Sequence, residues 1–464
     1  MSDSTISSAP TSGHHVSWKT LLLYAAPPIG MGYMFCLVSL YLLKFSTDIL
    51  GIGAGVMGFI LGMSRIWDAI SDPLAGYLSD RTKTRWGRRR PWILGSIVPI
   101  SISFWMVFSP PASLSDSQLV YWMACAVIGF YSAQTIFIVP HLSLGAELTD
   151  NHHDRNKIFG ARHAGWIVGY ILALGTLYLL LNAESVGPEQ VRIIAADQSF
   201  YAAFITVIGL LVCAVGIRER EEFSQFGPKN PFSAFKDVWQ NGHARLLLTA
   251  IFIENIGSAV ITIITVYNAE YVMKRADLAP LFILSYMIFS LVLVPVWTPL
   301  ARRIGKKRLW VGSMVVTAFA FGGMGTLSEG DVWPLLILAA IAGTAGGCGG
   351  TINPSIKSDI IDYDEYMCGE RKEGAYFAAW YFVSKMAYGI MLMVTGFALG
   401  WAGYVPKIAD QADTVVYTLR FLYGGVPFIC YILGACLLLR FAFNEREHAE
   451  VLAKLAERGR EVKA

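Results

Sequence analysis

The chain has 464 residues, of which 55% are hydrophobic and only 15% charged, with a mean hydropathy of +0.49. Soluble domains carry about a quarter charged residues, so this deficit argues against a soluble enzyme and points to lipid as the solvent. A net charge of +3 is too small to recruit nucleic acid, and seven cysteines without a CxxC pair give neither a disulfide framework nor a metal site.

In chain order, residues 1–17 are polar and Ser/Thr-rich, lack the features of a signal peptide, and read as a disordered cytoplasmic tail. Twelve apolar segments follow, at 18–44, 53–79, 91–110, 118–147, 157–182, 198–217, 244–271, 278–301, 308–327, 333–360, 374–402 and 416–442. Each is near or above the roughly 20 residues a helix needs to cross a bilayer. The runs are continuous rather than alternating, which favours helices over barrel strands. Residues 218–243 are polar, contain Gly227-Pro228 and Asn230-Pro231, and read as a cytoplasmic linker. It separates an N-terminal bundle, 18–217, from a C-terminal bundle, 244–442, and 443–464 forms a second cytoplasmic tail.

Six of the ten residues from Arg81 to Arg90 are basic, and Arg302, Arg303, Lys306, Lys307 and Arg308 form a second basic loop. By the positive-inside rule both loops and both termini are cytoplasmic. Gly87-Arg88-Arg89-Arg90 recurs as Gly305-Lys306-Lys307-Arg308, 218 residues later and again just after the second segment of its half. The expected fold is therefore an all-α polytopic membrane protein, with twelve transmembrane helices in two pseudo-symmetric six-helix bundles. Such duplication places a solute site between the bundles near mid-membrane.

Ionisable groups inside the segments mark candidate function, because each costs roughly 2.5–3.5 kcal/mol at a helix centre. In segment two, Arg65-Ile66-Trp67-Asp68-Ala69-Ile70-Ser71-Asp72-Pro73 sets Asp68 and Asp72 four residues apart, on one helix face and about 6 Å apart along the axis. Two carboxylates this close repel, and a proton or a sodium ion relieves the repulsion. Ser71 and Thr135 of segment four supply further oxygen ligands. Arg65, one turn away, could hold the pair once the ion leaves, whereas a static Arg65–Asp68 bridge would leave Asp72 unpaired. Glu254 and Asn255 interrupt segment seven and serve either packing or solute binding. Lys385 follows Trp380 and Tyr381 in segment eleven and should face the cavity or the aspartates. The glycines of segment ten, among them Gly343 and Gly347, suit close helix packing, and Asn353-Pro354 can free carbonyls towards a cavity. Arg162 offers a planar fork of donors to hydroxyls or a carboxylate.

The run from Trp67 to Trp92, WDAISDPLAGYLSDRTKTRWGRRRPW, resembles the glycoside–pentoside–hexuronide:cation symporter family of the major facilitator superfamily. So does the stretch from Ser358 to Pro406, which holds SDIIDYDEY, GERKEGAYFAAWYF and GYVP. The resemblance implies the major facilitator fold and alternating access. It places the cation on Asp68, Asp72, Ser71 and Thr135, the helix-eleven lysine on Lys385, and cytoplasmic gate charges on Asp80, Arg81, Asp359, Asp362 and Arg371. With a one-residue gap it places the sugar-binding arginine on Arg162. Where melibiose permeases of this family carry two sugar-gripping acids, this chain has Gly32 and Ile138; their tryptophans near the sugar are replaced by Leu142 and Gly350. The remaining pocket candidates are Gln134, Arg162, Glu254, Asn353, Trp380, Tyr381 and Lys385, with Arg65 beside the cation. The expected activity is symport of a sugar, glycoside or sugar acid with Na+ or H+, by a monomer of the inner membrane with no resident cofactor. An amphiphilic, lipid-like cargo is the alternative within the fold. A membrane enzyme or receptor is disfavoured, since His141 and His163 stand apart from any catalytic constellation.

Overall fold

A computed structural model describes residues 16–149, 152–219, 238–368, 373–406, 408, 410–441 and 445–461. The N-terminal half contains α1 (Trp18–Leu40, continued by Leu42–Lys44 and a π turn at Phe45–Ile49), α2 (Ala54–Arg81), α3 (Arg90–Phe108), α4 (Asp116–Glu147), α5 (His152–Ala183) and α6 (Pro188–Gly216). The C-terminal half contains α7 (Gly242–Tyr267, with a π turn at Asn268–Val272) and α8 (Ala279–Val292, then Val294–Ile304 after a 41° bend). It continues with α9 (Lys306–Met324), α10 (Val332–Cys368), α11 (Glu373–Ala402) and α12 (Asp413–Arg420, a π turn at Phe421–Gly425, then Val426–Leu439). A final amphipathic helix, α13 (Glu445–Glu461), lies against α10.

Local sequence explains the starts of these helices. Ser17 accepts the amide of Thr20 at the head of α1, Asn241 accepts two amides at the head of α7, and Ser115 with Gln118 forms a capping box on α4. Nine helices among the described residues are long and apolar enough to cross a bilayer, and the bent α8 makes a tenth. The remaining two long helices pack among them but are more charged. Arg65, Asp68, Asp72, Asp80 and Arg81 lie on α2, and α9 opens on Lys306-Lys307-Arg308.

The packing repeats at an interval of six helices. In the first half α1 packs on α5 and α6, α3 on α4 and α6, and α2 on α4; in the second, α7 packs on α11 and α12, α9 on α10 and α12, and α8 on α10. Between the halves, α2 runs along α11 and α5 meets α8. The repeated basic motif is repeated in structure as well. Gly87 and Gly305 both turn the chain at positive φ, 103° and 92°. The first turn delivers Arg89 to Asp80 and Glu147, and the second delivers Lys306 to Asp359. Glycines set the closeness of α8 and α10, since a methyl group at Gly343 or Gly347 would overlap the carbonyls of Tyr286 and Ser290.

Candidate substrate and cation site

Residues 65, 68, 72, 76 and 80 of α2 form one face, which fronts a cavity of about 820 Å³ between the bundles. The cavity extends from Arg65 to Tyr77 and Asp80, near the end of α2 that carries the basic loop. Lys385 of α11 crosses to this face, with its Nζ 2.9 Å from Asp68 Oδ2 and 2.5 Å from Asp72 Oδ2. The ammonium therefore bridges both carboxylates. The Thr135 hydroxyl lies 2.7 Å from Asp68 and 3.1 Å from Asp72, and its single proton serves one of them at a time. Ser71 lies 3.2 Å from Thr135 and donates to the Asp68 carbonyl.

Arg65 has a different place from the one expected of it. Its guanidinium is buried among the rings of Phe35, Tyr131 and Tyr388, at 5.2, 4.3 and 5.0 Å, and reaches Asp68 only at 3.6 Å. Asp72 has a basic partner in Lys385, 313 positions away, which the sequence reading turned towards the cavity or the aspartates.

Gln134, Arg162, Tyr381 and Lys385 line the cavity, joined by Trp166 and Asn255. Glu254, Asn353 and Trp380 are not among its lining residues; Trp380 is only 2% exposed. They stand behind the wall, in the C-terminal bundle. The reason is helical rotation. Successive residues on a helix point about 100° apart, so Asn255 and Tyr381 face the cavity while Glu254 and Trp380 turn away. Among the described residues Arg162 has no carboxylate partner. One turn along α5, Trp166 adds an aromatic wall on the same side. His141 is buried and stacked on Tyr24, with their ring centroids 4.1 Å apart, as expected of a satisfied structural histidine.

The expected gate charges bond within their own halves. Asp80 pairs with Arg89, and the Arg81 guanidinium lies over the Tyr77 ring at 4.0 Å. Asp359 pairs with Lys306 at 2.6 Å, and His448 of α13 reaches Asp359 at 3.5 Å and Asp362 at 3.0 Å. Arg371 lies outside the described residues.

At the opposite end the halves are tied together by a cluster that sequence reasoning missed. Lys44, with no exposed surface, lies 2.7 Å from Asp48, 2.7 Å from Glu184 and 2.5 Å from Glu270. Tyr271 and Tyr404, from the second half, donate to Asp48 at 2.8 and 2.6 Å. Tyr41 donates to Glu184 at 2.7 Å, and Thr47 lies 3.0 Å from Tyr267. Asp48 and Glu184 read as ordinary loop charges in the sequence. The one available signal was the Lys44–Asp48 spacing of four residues.

Two bundles that repeat one packing plan, with a cavity between them that carries a few charged and polar side chains and an ion-pair cluster closing one end, define a membrane carrier of the major facilitator type. The description "MFS/sugar transport protein" matches residues 23–445. The isoprimeverose transporter of Lactiplantibacillus pentosus is 27% identical, over 96% of this chain and 92% of its own length. The glucuronide carrier protein homolog of Escherichia coli (strain K12) is 24% identical, over 96% of each chain. The crystal structure of D-xylose-proton symporter superposes with a TM-score of 0.67 at 14% identity, covering 92% of this chain and 98% of that one. The chain belongs to the glycoside–pentoside–hexuronide:cation symporter family of the major facilitator superfamily. It is a symporter rather than an enzyme.

Proposed function

We propose that this symporter takes up a sugar, glycoside or sugar acid, driven by Na+ or H+ bound between Asp68 and Asp72. The observation that carries this reading is Lys385, an ammonium from the second half seated between two carboxylates of the first. With Arg65 beside Asp68, it offsets the charge of the pair while the ion is away. An arriving cation, with Ser71 and Thr135 adding oxygen ligands, competes with the ammonium for the same oxygens. Lys385 is then released towards the cavity, where it and Arg162 offer donors to cargo. The ion and the cargo thereby assist each other's binding, and the coupling is reciprocal.

The cargo class follows from the lining. Trp166 and Tyr381 offer flat faces to a sugar ring, Gln134 and Asn255 offer hydrogen bonds to hydroxyls, and Arg162 without a counter-ion favours an acidic substituent. A volume of about 820 Å³ lies within the usual range for small-molecule sites, about 300–1,000 Å³. The names of the relatives, an isoprimeverose transporter and a glucuronide carrier homolog, support the same class. Ile138 and Leu142 on the wall favour the second reading, an amphiphilic cargo, by offering apolar surface at that position.

The chain then sits in the inner membrane with its basic loops and both termini in the cytoplasm. The Lys44 cluster closes the outer side, and the cavity faces inward. One chain supplies the whole ion site and cavity, which supports function as a monomer. The test is uptake of labelled isoprimeverose and a labelled glucuronide into proteoliposomes under an imposed Na+ or pH gradient. Asp68→Asn and Asp72→Asn should each abolish accumulation above the outside concentration. Unchanged accumulation in both variants would refute the assignment. Stabilisation by a lysolipid, and by no sugar, would favour the second reading.

A further inference from the structure

We infer that Glu254 of α7 and Lys357 of α10 form a proton-binding site inside the C-terminal bundle, separate from the carboxylate pair on α2. It is a second ionic site, beyond the one that the symport reading above requires.

A Cβ added at Gly349 of α10 would lie 3.6 Å from Glu254 Oε1 and 3.8 Å from Trp310 Nε1, so the carboxyl and the indole of α9 converge over that glycine. Asn353 and Lys357 follow Gly349 at intervals of four and share its face of α10. The Lys357 ammonium lies 5.1 Å from the centre of the Trp380 ring of α11. Helical side chains lean towards the N-terminus of their helix, which carries Lys357 back towards Asn353 and Glu254. Four buried polar atoms of this cluster, Glu254 Oε2, Trp310 Nε1, Asn353 Oδ1 and Trp380 Nε1, have no hydrogen-bond partner among the described residues. Glu254 also makes no ion pair within 4.0 Å among them. The other titratable neighbours of Glu254 are Tyr286 of α8, Cys348 of α10 and Tyr431 of α12.

A static buried ion pair needs close contact and satisfied hydrogen bonds to offset the loss of hydration. Here an acid and a base belong to one buried polar cluster without that contact, and several polar atoms of the cluster lack partners among the described residues. A buried carboxyl in such surroundings carries a proton rather than a bare charge. Unpaired acceptors and an indole N–H are also the partners a bound water requires, and water can pass a proton between the two groups. The chemistry is simple: one O–H bond forms on a carboxylate, with the proton drawn from solvent and returned to it. The cluster stands one residue behind the cavity wall at two places, since Asn255 follows Glu254 and Tyr381 follows Trp380. A change of charge there is therefore delivered to two cargo-facing side chains.

The experiment is an infrared difference titration of the purified full-length chain, with the proton as probe. The wild type should show the C=O stretch of a protonated, buried carboxylic acid that fades as pH rises. Glu254→Gln should remove that band, Glu254→Asp should restore one, and Lys357→Met should move the midpoint of its titration. The thermal unfolding transition checks each variant's fold, and Glu254→Gln should keep a cooperative one. A band left undiminished in Glu254→Gln, or a wild type without a pH-dependent band, overturns the proposal. The titration is repeated in Asp68→Asn/Asp72→Asn, where a proton on the α2 pair can give no band; a Glu254-dependent band there supports the proposal whatever ion that pair binds, and loss of uptake in those variants tests the α2 reading by itself.

Discussion

At the residue scale, the proposed ion site turns on Lys385. It is partly exposed, with 22% of its side chain accessible, so the cavity can draw it away from Asp68 and Asp72. Lys385→Met leaves the two carboxylates without the ammonium. Leaving buried charge uncompensated costs about 3–5 kcal/mol, and a cation that relieves part of this should bind more tightly. Each 1.4 kcal/mol is tenfold, so the expected outcome is cation affinity raised by on the order of tenfold, with accumulation of cargo lost. Calorimetric titration with NaCl and the uptake assay together check this, and weaker sodium binding would contradict it. The aspartates were legible in the sequence because a spacing of four on an apolar helix admits few other readings. Lys385 was legible as a costly charge that should face the cavity or the aspartates, but its seat between the two carboxylates was not, because nothing local links it to a residue 313 positions away. Glu254 and Trp380 show a second limit. Sequence places a polar residue in a helix but leaves the helix's rotation open, and one step of rotation exchanges Glu254 for Asn255 and Trp380 for Tyr381 at the cavity.

At the element scale, the close approach of α8 and α10 and the closure of the outer end can each be tested. Gly347→Val forces side-chain atoms into the Ser290 carbonyl, and overpacking of this kind costs about 1–3 kcal/mol. A lower melting temperature is expected with sodium stabilisation retained; an unchanged melting temperature would mean that α8 and α10 are not tightly apposed. Lys44 holds Asp48, Glu184 and Glu270 together at the ends of α1, α5 and α7. In Lys44→Gln these three acids face one another without a cation, which favours separation of the halves at that end. A cysteine placed at Tyr404, in a background without exposed native cysteines, should then react faster with a membrane-impermeant thiol reagent added outside. Equal labelling in both backgrounds would contradict the closure. The sequence shows Lys44 at the end of a long apolar run, where a basic residue reads as an interfacial anchor. Its role depends on two other helices that end at the same level.

At the scale of the whole molecule, the internal repeat is the feature most plainly written in the sequence. Gly87-Arg88-Arg89-Arg90 and Gly305-Lys306-Lys307-Arg308 occupy matching turns, and each packed helix pair of the first half has its counterpart six helices later. Apolar length marked a segment over each of the long helices α1 to α12, although α2 and α9 lose apolar character to their charges. In α2 two of the residues that weaken the membrane signal, Asp68 and Asp72, are the carboxylates of the proposed ion site. The cavity's chemistry was less legible, since it depends on which faces of α2, α4, α5, α7 and α11 meet.

Competition between an ion and Lys385 for Asp68 and Asp72 is tested most directly by charge displacement. Proteoliposomes adsorbed on a solid-supported membrane receive a sodium jump or a pH jump in the absence of cargo. A transient current is expected from the wild type with at least one of the two ions, and none from Asp68→Asn or Asp72→Asn. Currents in both variants equal to those of the wild type would contradict the competition.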